Sequence, residues 1–258
     1  MNPEKIRPSF ELNLFNDLLN NASFKKASEG HLNKISLDHS HENTLAFLTN
    51  GIRINHKNSP SLYDAFCEVK KKLKIDSSSI DLYIENNPSI NAGLAFIKKS
   101  RYVIFLNSGL VNLMDLEEIK FVIGHELGHL KYQHHKIIKN PGKCLPIFTI
   151  RLFEHSRYAE ISADRCGLIA VESLEVAKST LLKIATGTNL DYICKESIGM
   201  KVQLNAIKDI LNSNQGLIDE KLSHPYSLIR IYALEKFNNF ISKKDNGINE
   251  IDNKILSL

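Results

Sequence analysis

Leu116, Ile119, Ile123, Leu127 and Leu130 recur every three to four positions, and that stripe predicts the best-defined helix of the chain. Asp115 stands just ahead of it as an N-cap, with Glu118 three residues later in a capping-box pattern. Asn140-Pro141-Gly142 ends the region. Upstream, Leu62, Phe66, Val69 and Leu73 share one helical face over 61–74, and Ser77-Ser78-Ser79 breaks the pattern. The period then changes from helical to alternating. Ile80, Leu82 and Ile84 fall on one side of a strand over 80–85, Asn86-Asn87-Pro88 reads as a turn, and strands follow at 92–97 and 102–106. Downstream the helical period returns at 156–171, again from Ser173 to Ala185 with Gly187 as its stop, and at about 190–212 and 226–240. A small mixed sheet of three or four strands followed by a mainly helical C-terminal half defines an α+β class.

The 258 residues allow one large domain or two small ones. We read 59–243 as one domain, 244–258 as a polar tail, and 1–58 as an N-terminal extension. That extension is rich in Asn, Ser, Lys and His, with apolar clusters at 10–19 and 45–48, and is expected to be partly helical and packed on or near the domain. Apolar residues make up 43% of the chain, enough for a full core. A net charge of +4 with dispersed lysines is not the footprint of a nucleic-acid binder, so no nucleic-acid partner is expected. Lys70-Lys71-Lys72 reads as a solvated helix face. Cys67, Cys144, Cys166 and Cys194 form no CxxC pair, and in a chain of this length they read as the reduced thiols of a cytoplasmic protein. No secretory signal is expected at the N-terminus, and no apolar run approaches the roughly 18 residues of a transmembrane segment.

Candidate chemistry sits inside the strongest helix, in GHELGHLKYQHH at 124–135. His125 and His129 are at i and i+4, so both imidazoles project from one face and can reach a common ion. Zinc favours such nitrogen ligands. Glu126 lies about 100° further round the helix, where it can flank the metal without binding it and take the proton of an attacking water. This is the metallopeptidase reading of HExxH, and the competing reading is a polar helix with exposed histidines. Gly124 and Gly128 favour the former. Each costs about 1 kcal/mol mid-helix relative to alanine, so close approach of another element is expected there.

A catalytic zinc needs a third protein ligand and an open position. Glu160 and Asp164, in AEISADRCG, are again at i and i+4. Glu160 can ligate, and Asp164 can accept a hydrogen bond from the free ring nitrogen of a ligand histidine. Ala159, Ala163 and Gly167 make that face small and closely packed rather than solvated. His134 and His135 are alternative ligands that would crowd the same helix end, and both are expected to be exposed.

The stretches NAGLA (91–95), FLNSGLVNLMDLEEIKFVIGHELGHLKYQH (105–134), SRYAEISADRCGL (156–168) and SHPYSLIRIYAL (223–234) together resemble the HtpX and prenyl-protein (CAAX) endopeptidases, zinc metallopeptidases of the gluzincin group. The resemblance implies a zincin-like α+β fold with an HExxH active-site helix and one zinc per chain. By it, His125, His129 and Glu160 are the zinc ligands, Glu126 is the general base, and Asp164 orients a ligand. It further implies that Asn91-Ala92 begins an edge strand that binds extended substrate by main-chain pairing. His224, before Pro225, would stabilise the oxyanion, and Arg230 would join the substrate site. Well-known members of that family are embedded in membranes, whereas this sequence shows no spanning segment, so a prenyl-protein substrate is not expected. The expected function is a soluble zinc endopeptidase acting on flexible or unfolded protein segments.

A different class is a latent or non-catalytic zinc module that binds clients or regulates. Glu126 argues against lost catalysis, since a purely structural site has no use for a base. Autoinhibition stays open, with 1–58 or the Cys144-Leu145-Pro146 loop covering the cleft and Cys144 as a possible fourth ligand.

Overall fold

Alternation of apolar residues along the strands sets which face of the sheet meets the helices. The computed structural model describes residues 6–22, 24, 49–75, 79–97, 101–137, 146–192, 202–203, 205–206 and 227–243. Four strands, β1 (Gly51–Arg53), β2 (Ile80–Glu85), β3 (Ala92–Ile97) and β4 (Arg101–Asn107), form one sheet in the order β1-β2-β4-β3. β2 and β4 are parallel, and the two outer strands are antiparallel to their neighbours. The sheet is mixed, as the sequence predicts, and recruits β1 from ahead of residue 59. Ile80, Leu82, Ile104 and Leu106 share the face that enters the main core, whereas Tyr83 and Val103 form a smaller cluster apart from it.

Two helices cover the core face. α2 (Pro60–Lys72) lays down Leu62, Phe66 and Val69, the stripe expected for 61–74. α4 (Leu116–Lys131) follows a short α3 (Ser108–Leu113) and contributes Ile119, Ile123 and Leu127. The capping box is present as predicted. The Asp115 side chain accepts from the Glu118 N–H at 2.9 Å, and Glu118 Oε2 accepts from the Asp115 N–H at 3.0 Å. Glu118 is also buried against Ser179 (2.6 Å) and Lys183 (2.7 Å) of α6 (Leu174–Thr186), so the cap ties two helices together. Ser173 caps α6, and Gly187 ends it in the left-handed conformation with φ +71°.

α5 (Pro146–Val171) begins ten residues before the predicted start at 156. Its first turns are rich in β-branched and aromatic residues, and although Pro146 suits a first helical position no Ser, Thr, Asp or Asn precedes it as an N-cap, so propensity marks the start weakly. Tertiary packing stabilises them instead. Leu152 joins Leu14, Phe15 and Leu18 of α1 (Ser9–Asn20), together with Phe24 and Ile137, in a second apolar cluster. The apolar stretch predicted at 10–19 is therefore a helix docked on α5. The stretch at 45–48 lies outside the described residues, as do most of 190–212 and the 244–258 tail. α7 (Ser227–Lys243) matches the last predicted helix and packs on α5 and α6.

The α4–α5 contact positions the site. A Cβ on Gly124 would lie 2.7 Å from the Ala170 Cβ, and one on Gly128 would lie 2.9 Å from the Ala163 Cα. Gly167 answers from α5, where a Cβ would meet the Phe121 ring at 2.8 Å. The pairs 128 with 163 and 124 with 170 show that the helices run antiparallel. Their small residues bring the backbones together, which explains why α4 accepts two mid-helix glycines.

Candidate metal centre

Close packing of α4 on α5 sets His125 and His129 opposite Glu160. The Nε2 atoms of the two histidines are 3.1 Å apart, His125 Nε2 is 3.3 Å from Glu160 Oε2, and His129 Nε2 is 3.4 Å from Glu160 Oε1. Ligands about 2.0–2.1 Å from a tetrahedral zinc lie about 3.3 Å from one another, so these three edges fit the ion. The donor chemistry agrees. His125 Nδ1 is 2.8 Å from Asp164 Oδ1, and a carboxylate can only accept, so Nδ1 carries the hydrogen and the Nε2 lone pair is left for a metal. Two such lone pairs converging at 3.1 Å suit a shared cation. A group of three protein ligands is the number used by catalytic zinc.

The surrounding charges are arranged to hold this geometry. Arg230 of α7 donates twice to Asp164, from Nε at 2.7 Å and Nη2 at 2.6 Å, and its Nη1 is 3.5 Å from Glu160 Oε2. Burial raises the Asp164 pKa, but the Arg230 guanidinium outweighs it and keeps the carboxyl below its ordinary value. Glu160 behaves likewise. Burial pushes it up, and the two histidines pull it well below the usual carboxylate range. Burial lowers His125, but its bonds to Asp164 and Glu160 prevail, and with no metal its pKa rises to about 10.

Seven of the predicted site residues line one cavity of about 460 Å³. Its walls include Asn91 and Ala92 at the start of β3, His125, Glu126 and His129 on α4, Glu160 on α5, and Arg230 on α7. Among the described residues β3 is one of the two edge strands, paired to β4 on one side. Apolar lining comes from Leu94, Phe105, Leu110, Phe121, Val122 and Ile184. Gly93 leaves room for Phe105 opposite it, since a Cβ there would lie 2.5 Å from the ring. His224 and Cys144 lie outside the described residues.

One expectation is corrected. His135 is exposed as expected, but His134 is buried, at 3% exposure. The chain turns through a left-handed Gln133 (φ 60°) into a 3-10 turn, His134–Lys136, and this folds the His134 ring back beneath His129. The two Nδ1 atoms are 2.8 Å apart. Glu11 of α1, also missed from the sequence, is fully buried beside them. Its Oε1 is 3.4 Å from His134 Nε2 and 3.3 Å from His155 Nε2, and Arg7 Nη2 donates to it at 2.8 Å. Burial raises the Glu11 pKa, but Arg7 and the two histidines drive it far below the ordinary carboxylate value. Burial lowers His134 to about 3, so its ring is neutral. The only sequence signal for Glu11 was an acid set between two apolar residues, Phe10-Glu11-Leu12, which has no fixed spacing to the motif.

Comparison with known proteins agrees with this geometry. The sequence model of Peptidase family M48 matches residues 60–153, a stretch that takes in His125, Glu126 and His129 and ends before Glu160. The chain is 25% identical over 205 residues to the plastoglobule-localized metallopeptidase 48, chloroplastic, of Arabidopsis thaliana. That alignment covers 71% of this chain and 58% of the relative, so the chain spans little more than half of the relative's length. No solved structure matches. Both likenesses are to peptidases, and no helix among the described residues is long and apolar enough to cross a membrane.

Proposed function

We propose that the chain is a zinc-dependent endopeptidase of the HtpX/CAAX-like branch that hydrolyses flexible or unfolded protein segments. The observation that carries this reading is the meeting of His125, His129 and Glu160 at the edge lengths of a zinc tetrahedron, on a cavity that also holds Glu126. A bound zinc would supply Lewis acidity there, acidifying water and polarising a carbonyl. The edge of β3, from Asn91 and Ala92, would hold substrate as an added strand, which requires an extended and therefore unfolded segment. Glu126 would take the proton of the attacking water as the new C–O bond forms, and return it to the leaving amine as the C–N bond breaks. Asp164, clamped by Arg230, would hold His125 in the tautomer that leaves Nε2 unprotonated. By resemblance, His224 would stabilise the oxyanion. Cysteine usage favours a reducing, cytoplasmic setting.

The test is zinc content by elemental analysis with casein hydrolysis, for the wild type and Glu126→Gln. The expected result is one zinc per chain in both and cleavage by the wild type alone. A chain that takes up no zinc after reconstitution would overturn the proposal.

A further inference from the structure

We infer that the N-terminal helix supplies a positioning residue to the metal centre: Glu11, acting through His134, holds the ligand His129 in its metal-binding tautomer and orientation. The inference rests on the zinc reading above and extends it to a segment that no sequence motif joins to the site. It follows from counting donors along one chain of contacts. For His129 to present its Nε2 lone pair to a metal, its Nδ1 must carry the hydrogen. That hydrogen points at His134 Nδ1, 2.8 Å away, which must therefore be an acceptor. The His134 proton then resides on Nε2, where the neighbouring acceptors are Glu11 Oε1 at 3.4 Å and Ser162 Oγ at 3.4 Å. Ser162 already donates to the Ala159 carbonyl at 3.0 Å, which leaves its oxygen free to accept. Glu11 can only accept while ionised, and Arg7 keeps it so.

Every hydrogen in the series thus has one direction, from His129 to His134 and on towards Ser162 Oγ and the Glu11 carboxylate. Reversing it would place a proton on His129 Nε2 and remove a ligand. All members except Arg7 are at least nine-tenths buried, so water does not compete to set the tautomers. The helix that carries Glu11 is fixed by Leu14, Phe15 and Leu18 and is tied to α5 a second way, since Arg165 Nη1 donates to the Ile6 carbonyl at 3.2 Å. None of the cavity-lining residues belongs to α1. α1 therefore lies behind the metal ligands and supports them, instead of lying across the cleft as an autoinhibitory cover would.

The experiment uses the full chain and the variants Glu11→Gln and His134→Phe. Zinc affinity is measured by competition with a chromogenic chelator, and the visible spectrum is recorded after cobalt substitution. Melting temperature is taken with zinc and with chelator. Loss of an outer partner of a zinc-binding histidine weakens metal binding about 10–100-fold. We expect about tenfold for Glu11→Gln and more for His134→Phe, with a shifted cobalt spectrum and a smaller rise in melting temperature on zinc loading. His134→Asn, whose amide oxygen can accept from His129, should recover part of the loss. Because Glu11→Gln leaves Arg7 without its carboxylate, the double variant Arg7→Gln/Glu11→Gln serves if the single one does not fold, and the same tenfold loss is expected of it. Unchanged zinc affinity and cobalt spectrum, with melting lowered equally with zinc and with chelator, would make Glu11 merely structural and overturn the inference. A gain of peptidase activity in Glu11→Gln would overturn it in favour of autoinhibition. A wild type that binds no zinc would overturn the metal centre itself and this inference with it.

Discussion

His125 and His129 sit one turn apart on the same helix, yet the molecule secures them by different means. The His125 side is short and charged. Its ring donates directly to the Asp164 carboxylate, which Arg230 clamps with two bonds, and these partners come from α5 and α7. The His129 side is longer, passes through a neutral imidazole, and ends on Glu11 of α1. The difference shows that a zinc-type site needs its outer partners to match in proton direction, not in residue type. A carboxylate one bond away and a carboxylate relayed through histidine leave the same lone pair on Nε2.

Glu126 belongs to neither side, since it flanks the metal position without holding it. Glu126→Gln should therefore lower peptide hydrolysis by about 10²–10⁴-fold while zinc content stays at one per chain, which single-turnover assays and elemental analysis would check. If zinc were lost as well, Glu126 would be part of the holding apparatus. Asp164→Asn breaks the charged side and should weaken zinc binding by about 10–100-fold. It should also lower the melting temperature of the metal-free chain, because Arg230 loses a buried partner; chelator competition and calorimetry separate the two effects. An effect no larger than that of Glu11→Gln would put the two sides on an equal footing.

Gly124→Ala acts on both sides at once by pushing α4 from α5. Overpacking of this kind costs about 1–3 kcal/mol, against about 1 kcal/mol regained in helix propensity, so a net loss in urea stability is expected. A more stable variant would show that the close contact with Ala170 relaxes freely. The last test is pH. In the metal-free chain His125 holds a proton up to about 10, above its ordinary value of 6.5. Its contribution to stability is full below the ordinary value and is lost as pH rises through about 10. Zinc must displace that proton, so zinc affinity should tighten by up to about tenfold per unit as pH rises from 7 to 9. Melting curves over that range should show the metal-free chain weakening while the rise caused by zinc grows, and parallel curves would remove His125 from the ligand set.

Much of this was legible along the chain because it is local. The apolar stripe of α4, its Asp115–Glu118 cap, the alternation of β2 and the Gly187 stop each reflect interactions within a few residues, and all lie where the pattern put them. The convergence of His125, His129 and Glu160 was also anticipated, since two i, i+4 pairs on neighbouring helices with small residues between them have few other ways to pack. The early start of α5 was not legible, because α1 stabilises it from more than a hundred residues away. His134 was misjudged for a related reason. Counting helix turns places it at a solvated end, but α4 stops at Lys131 and a left-handed Gln133 redirects the chain inward.

The sequence by itself determined which residues could bind a metal, because ligand type and helical spacing are properties of short segments. It determined the succession of α2, β2, β3, β4 and α4 for the same reason. Only the tertiary structure decided which groups stand behind Asp164 and behind His129. Arg230 on Asp164 and Glu11 beneath His134 are separated from their partners by 66 and more than a hundred residues, and no periodicity encodes such pairings. They form because a buried ionised group must find a partner wherever the packing of helices brings one.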